Sequence, residues 1–201
     1  VEEAEALKRR NAILFGKKQE KPVSAAALPQ RPDYLTKSDW GVIQELNLAR
    51  KDPAAYAEFV RDHRKRHRGN GVFGTARGDI QSKEGLAAVD EAIAFLENAQ
   101  SLGPLAPSEG LSLAAKDHAE DTGPKGIVGH SGSDGSTIQQ RVNRHGQWRR
   151  SIGENISYGF TNARAIVIQL IIDDGVPSRG HRKNIYTESF RVVGVAGAAH
   201  K

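Results

Sequence analysis

Two stretches of this chain read as strands, and both stand late in it among helical segments. Glu154 to Gly159 (ENISYG) alternates, with Ile156 and Tyr158 on one face and Asn155 and Ser157 on the other. Arg191 to Ala199 (RVVGVAGAA) is β-branched and glycine-punctuated, as expected of a strand packed closely against another element. Helices precede and surround these strands without βαβ alternation. The pattern predicts an α+β fold in which helices cover a small antiparallel sheet.

The helical segments carry their own start signals. Thr36 followed by Asp39 makes a capping box and opens a helix with Trp40, Ile43 and Leu46 to Leu48 on its buried side. Asp52-Pro53 starts a second, bearing Tyr56, Phe59 and Val60, because Asp caps and Pro suits the first turn. Leu86, Val89, Ile93 and Leu96 recur at helical spacing in a helix ending near Gly103-Pro104. Ser108 caps another, whose stripe Leu111, Ala114, Ala115, His118 and Ala119 makes His118 a hydrogen-bonded core histidine rather than a ligand. A short helix runs from Ser136 to about His145, and a nearly all-apolar one from Thr161 through Ile172, with Gln169 and Asp173 as its polar stripe. Asn155-Ile156-Ser157 is a glycosylation sequon made inaccessible by a core strand. Residues 1–35 read as a basic, Pro/Ala-containing extension or linker in which Leu7 to Phe15 forms a short helix, leaving 36–201 as one domain.

Composition narrows the chemistry. The 201 residues include no cysteine, which removes disulfides, thiolate nucleophiles and thiolate metal sites, so any metal needs His and carboxylate ligands. The net charge of +5 points at nucleic acid only until it is located: residues 61–68, RDHRKRHR, hold most of the excess. Without interleaved aromatics or a helix-turn-helix or zinc-finger spacing, this run is a solvated helix end, and nucleic acid is an unlikely partner. Gly69, Gly71 and Gly74 match G-x-G-x-x-G, but they follow a charged helix end rather than a strand, so the segment reads as a flexible connection. Arg77-Gly78-Asp79 within it spells an adhesion tripeptide that carries no weight at this length. The longest apolar stretch, Ala165 to Ile172, is too short to span a bilayer, so no transmembrane segment is expected.

Five motifs in order carry a resemblance. LNLARKDPAAYA (Leu46 to Ala57), PLAPSEGLSLAAKDHAED (Pro104 to Asp121), GHSGSDGS (Gly129 to Ser136), GENISYG (Gly153 to Gly159), and GHRKNI with VVGVAG (Gly180 to Gly197) together resemble the CAP superfamily. These SCP-like extracellular proteins include cysteine-rich secretory proteins, venom antigen 5 and plant pathogenesis-related proteins, and the likeness covers about residues 36–201. It implies a three-layer α-β-α sandwich, a cysteine-free bacterial-type variant, and an extracellular or cell-envelope location after removal of a signal peptide. It also implies a central cavity with a tetrad of His130, Glu154, Asp173 and His181, Asp173 standing where the family has an acidic residue after an aromatic one. Because the family continues into a further strand beyond VVGVAGAAH, the resemblance implies either a missing final C-terminal strand or an open sheet edge.

Three functions stay open. If His130 and His181 converge, two neutral imidazoles suit an ion such as Zn²⁺, bound weakly and exchangeably because two protein ligands are fewer than the usual three. Glu154 and Asp173 then orient the rings or bind water. The first reading is a secreted binding module holding a divalent metal, with a lipid or sterol in a neighbouring groove. The second is a metal- or serine-dependent extracellular hydrolase, with Glu154 as general base or Ser131 as nucleophile. Against it, Gly129-His130-Ser131-Gly132-Ser133 has its glycine one place early for a G-x-S-x-G elbow, and the balance leans away from an enzyme. The third is an interaction protein contacting a cell envelope, cell surface or receptor.

Overall fold

The computed structural model describes residues 9–16, 30–75, 78–148 and 150–201. Its main sheet is built around β1 (Arg9–Gly16), which pairs antiparallel with β5 (Ile152–Tyr158) on one side and with β6 (Val192–Ala199) on the other. β4 (Ala106–Pro107) adds a two-residue parallel pairing to β6, so the sheet order is β4-β6-β1-β5 and the sheet is mixed.

The helices lie on both faces. Alternation along β1 sorts its side chains: Ile13 and Phe15 join the larger core, while Ala12 and Leu14 join the smaller, and all four are fully buried. Against the larger core pack α1 (Lys37–Lys51), α2 (Pro53–Arg64), α3 (Leu86–Asn98) and α6 (Ala163–Ile172). Against the smaller pack α4 (Glu109–Thr122) and α5 (Ile138–His145). This is the expected α-β-α sandwich. Complete burial of Ile13, Leu14 and Phe15 contributes about 1.5–3 kcal/mol each as an upper estimate.

β1 corrects the expectation for the N-terminal region. Residues 9–16 form an inner strand of the sheet and neither a helix nor a linker, and Leu7 lies outside the described residues. A short apolar run such as Ala12 to Phe15 fits a buried strand as well as a helix, and only its partners decide between them. β6 is therefore no open edge, because β1 covers one side of it and β4 part of the other.

Other elements follow their local chemistry. Thr36 accepts a hydrogen bond from the Asp39 backbone N–H at the start of α1, and Asp52 does the same for Ala55 at the start of α2. Leu48, expected inside, is 41% exposed. Ser108 precedes α4 but makes no side-chain capping bond, whereas α5 opens on a full capping box between Thr137 and Gln140. The glycine-rich segment expected to be a flexible connection holds a hairpin, β2 (Val72–Thr75) with β3 (Gly78–Gln81). In the basic run, Arg61, Arg64, Lys65 and Arg68 are each paired with a carboxylate. No helix among the described residues is long and apolar enough to cross a membrane.

α7 (Gly180–Ile185) was not expected from its turn-rich approach. Arg50 of α1, fully buried, fixes its far end by donating to the carbonyls of Ile185 at 2.5 Å, Thr187 at 3.3 Å and Phe190 at 3.4 Å. Burial lowers the Arg50 guanidinium to about 10, which leaves it charged at neutral pH.

Candidate functional site

The first histidine is held through its glycine neighbour. Gly129 has φ 110°, a conformation open to glycine, and both its backbone groups are engaged: its N–H donates to Tyr158 Oη at 2.9 Å and its carbonyl meets His118 Nε2 at 3.0 Å. The loop so fixed places His130 Nδ1 2.7 Å from Glu154 Oε1. His118 is fully buried and hydrogen-bonded, as expected of a core histidine.

Glu154 is the hub of this half. Its second oxygen accepts from Arg141 Nη2 at 2.7 Å, and Arg141 Nη1 donates to the carbonyls of His130 at 3.0 Å and Ser136 at 2.9 Å. His118 Nε2 stands 4.0 Å from Glu154 Oε1. Burial alone would raise the Glu154 carboxyl, but the His130 hydrogen bond and the charges of Arg141 and His118 outweigh it and hold the group below the usual carboxylate range.

The second histidine is built differently. α6 ends at Ile172, and Asp173 steps off it into the left-handed region at φ 58°. Its buried carboxylate then accepts the His181 backbone N–H at 2.9 Å and meets His181 Nδ1 at 2.6 Å. Asp173 thus caps the start of α7 and orients the imidazole at its second residue. It is a helix-end residue and not part of a polar stripe with Gln169, which instead accepts from Ser157 Oγ at 2.7 Å. Arg179 steadies the turn, donating to the Asp173 carbonyl at 3.0 Å and to Glu84 and Glu91.

The two halves meet at β5. Glu154 faces the smaller core's helices and Asn155 the opposite side, where Asn155 Nδ2 donates to the His181 carbonyl at 3.0 Å. Asn184 Nδ2 donates to Asn155 Oδ1 at 2.9 Å and tightens the same junction. Asn155 is fully buried, so its sequon is closed to modification in the folded chain. The structure therefore forms two His–carboxylate pairs, His130–Glu154 and His181–Asp173, both tied to the edge strand β5, the first through Glu154 and the second through Asn155.

Both rings engage a carboxylate through Nδ1, and neither Nε2 has a hydrogen-bond partner among the described residues. That is the arrangement in which a carboxylate orients a ligating imidazole. Among the described residues, however, no group of three or more His, Cys, Asp or Glu is set to hold a metal ion. Each ring offers a single nitrogen, and two such donors are fewer than the three protein ligands usual in an open zinc site or the four of a closed one. Ser131 and Ser178 make no hydrogen bond to either histidine.

Arg141, Asn155 and Asn184 were not singled out in the sequence as site residues. Asn155 and Asn184 lie inside GENISYG and GHRKNI, and Arg141 carried no local signal. A nearby cavity of about 380 Å³ is lined by Asp117, Glu120, Asp121, Asp134, Ser136, Arg141 and Arg144.

Comparison with known proteins adds one finding. The family model described as CAP, the cysteine-rich secretory protein family, matches residues 46–200. No curated protein and no solved structure matches the chain.

Proposed function

The chain belongs to the CAP family of cysteine-rich secretory proteins, of which it is a cysteine-free member, and on that premise we propose that it is a secreted binding module whose His130 and His181 act together on one polar ligand. The supporting observation is the matched pairing: two imidazoles, each with Nδ1 on a carboxylate and Nε2 left over, are tied to the same edge strand. A divalent ion such as Zn²⁺ is the ligand this donor set suits, and His130 and His181 would hold it, weakly and exchangeably. Bound there, such an ion would supply a positive charge able to recruit an anionic group. The nearby cavity, lined by four carboxylates (Asp117, Glu120, Asp121 and Asp134) beside Arg141 and Arg144, offers no apolar wall, which favours a polar ligand over a lipid or sterol.

Hydrolysis is the weaker reading. Both Glu154 oxygens are engaged, one by His130 and one by Arg141, and these contacts hold the carboxyl below its usual range, which makes it a weak general base. Ser131 lacks a histidine to activate it. An envelope or receptor contact through the basic run also loses support, since Arg61, Arg64, Lys65 and Arg68 are paired with carboxylates.

Titration of the full chain with Zn²⁺, followed by NMR of the imidazole resonances, tests the reading. It expects the His130 and His181 signals to shift together with one midpoint. Separate midpoints, or movement of only one ring, would overturn the shared site.

A further inference from the structure

β1 lies outside the span that matches the family, 46–200, yet β5 and β6 pair with β1 and not with each other. Its register ties the two ends of the chain: Arg9 pairs with Ala199 and Gly16 with Val192, while Arg10 pairs with Tyr158. The slot for β1 is therefore complete only when β6, the last element, is in place. Pairings this far apart in sequence are slow to form, because the loop must close before any contact rewards it. Until then the run Ala12 to Phe15, fully buried in the folded chain, has no partner.

Residues 17–29 separate β1 from the segment anchored by Leu35, which is buried in the larger core. Fully extended, a segment of about 13 residues spans up to about 43–47 Å, enough to reach a neighbouring domain. We propose that residues 9–16 are an exchangeable donor strand, and that the slot between β5 and β6 accepts the same strand from a second copy of this chain. The product is a two-fold dimer in which each copy gives and receives β1.

The contacts of the strand are the same in both forms, so connector and association entropy decide between them. Tethering keeps the strand at an effective concentration on the order of mM, which favours the closed monomer in dilute solution. Chains that fold close together exchange instead. The resulting dimer separates slowly, because the buried run Ala12 to Phe15 of each copy must leave before the copies part.

The lack of cysteine makes the test direct. Ala12 and Ala196 are register partners on β1 and β6, and both are buried. Full-length Ala12→Cys and Ala196→Cys variants are mixed, refolded together at increasing concentration and oxidised, with Ala12→Cys plus Lys116→Cys as the control for chance collision. The same pair of substitutions in one chain checks that the two thiols meet. The proposal expects a mixed disulfide dimer that grows with concentration and exceeds the control several-fold, together with dimer mass by light scattering for the unsubstituted chain refolded the same way. It is overturned by a mixed dimer no more abundant than the control, by dimers lacking the 12–196 link, or by failure of the single-chain pair to close.

Discussion

Arg141 Nη2 meets Glu154 Oε2 at 2.7 Å with both side chains nearly inaccessible, at 1% and 3% exposure. The same guanidinium holds the carbonyl of His130, so one residue fixes both the carboxylate and the loop that it orients. Neither partner is tolerable alone, because an unpaired charge at this depth has no water to compensate it.

Arg141→Met is therefore expected to cost about 3–5 kcal/mol, the range for breaking a buried ion pair from one side. Arg141→Met combined with Glu154→Gln should cost clearly less than the sum of the two single changes. Urea unfolding of the four proteins in a double-mutant cycle measures this, and additive costs would contradict it.

Acid stability should depend on Glu154. Its folded carboxyl lies below the usual value, so its contribution is fully present above the unfolded value of about 4.3 and is lost as pH falls through the lower folded value. Thermal unfolding between about pH 5 and pH 2 should show a loss that Glu154→Gln lessens, the remainder coming from carboxylates such as Glu84, Asp121 and Asp134 that are also held low. An unchanged acid slope in that variant would place the effect elsewhere.

The imidazole tautomers are a direct consequence of the geometry. With carboxylates at Nδ1 of both rings, neutral His130 and His181 should carry their proton on Nδ1 and leave Nε2 as the acceptor. Nitrogen-15 NMR distinguishes the two forms. Asp173→Asn should disturb His181 alone, and finding Nε2-protonated rings in the unsubstituted protein would contradict the pairing.

Close packing of the sheet gives a stability test free of charge effects. A methyl group at Gly194 of β6 would fall on the backbone of Leu111 and Ser112 in α4, so Gly194→Ala should cost upward of about 1–3 kcal/mol. Leu14→Ala, which empties a fully buried position on β1, should cost about 2–5 kcal/mol. If β1 were only an appendage, the second change would leave the urea midpoint unmoved.

The site was more legible in the sequence than the strand beside it. His130, Glu154 and His181 stand in glycine-rich motifs whose residue order carries family information, and the structure pairs each histidine with a carboxylate. The resemblance points to Asp173 as the acidic residue following an aromatic position on the buried helix, but its role depends on stepping out of that helix into a left-handed conformation, which periodicity does not encode. Arg141 left no trace because its partners, His130 and Glu154, come from other elements and meet only in the folded state. The apolar run of β1 was visible, yet its partners lie near the other end of the chain, so local pattern read it as a helix.

Calorimetric titration of the full chain with Zn²⁺, beside His130→Ala, His181→Ala and the double variant, tests the shared histidine site most directly. The account predicts weak binding of one ion near neutral pH, diminished by either substitution and abolished by both. A double variant that binds Zn²⁺ as the unsubstituted chain does would contradict it.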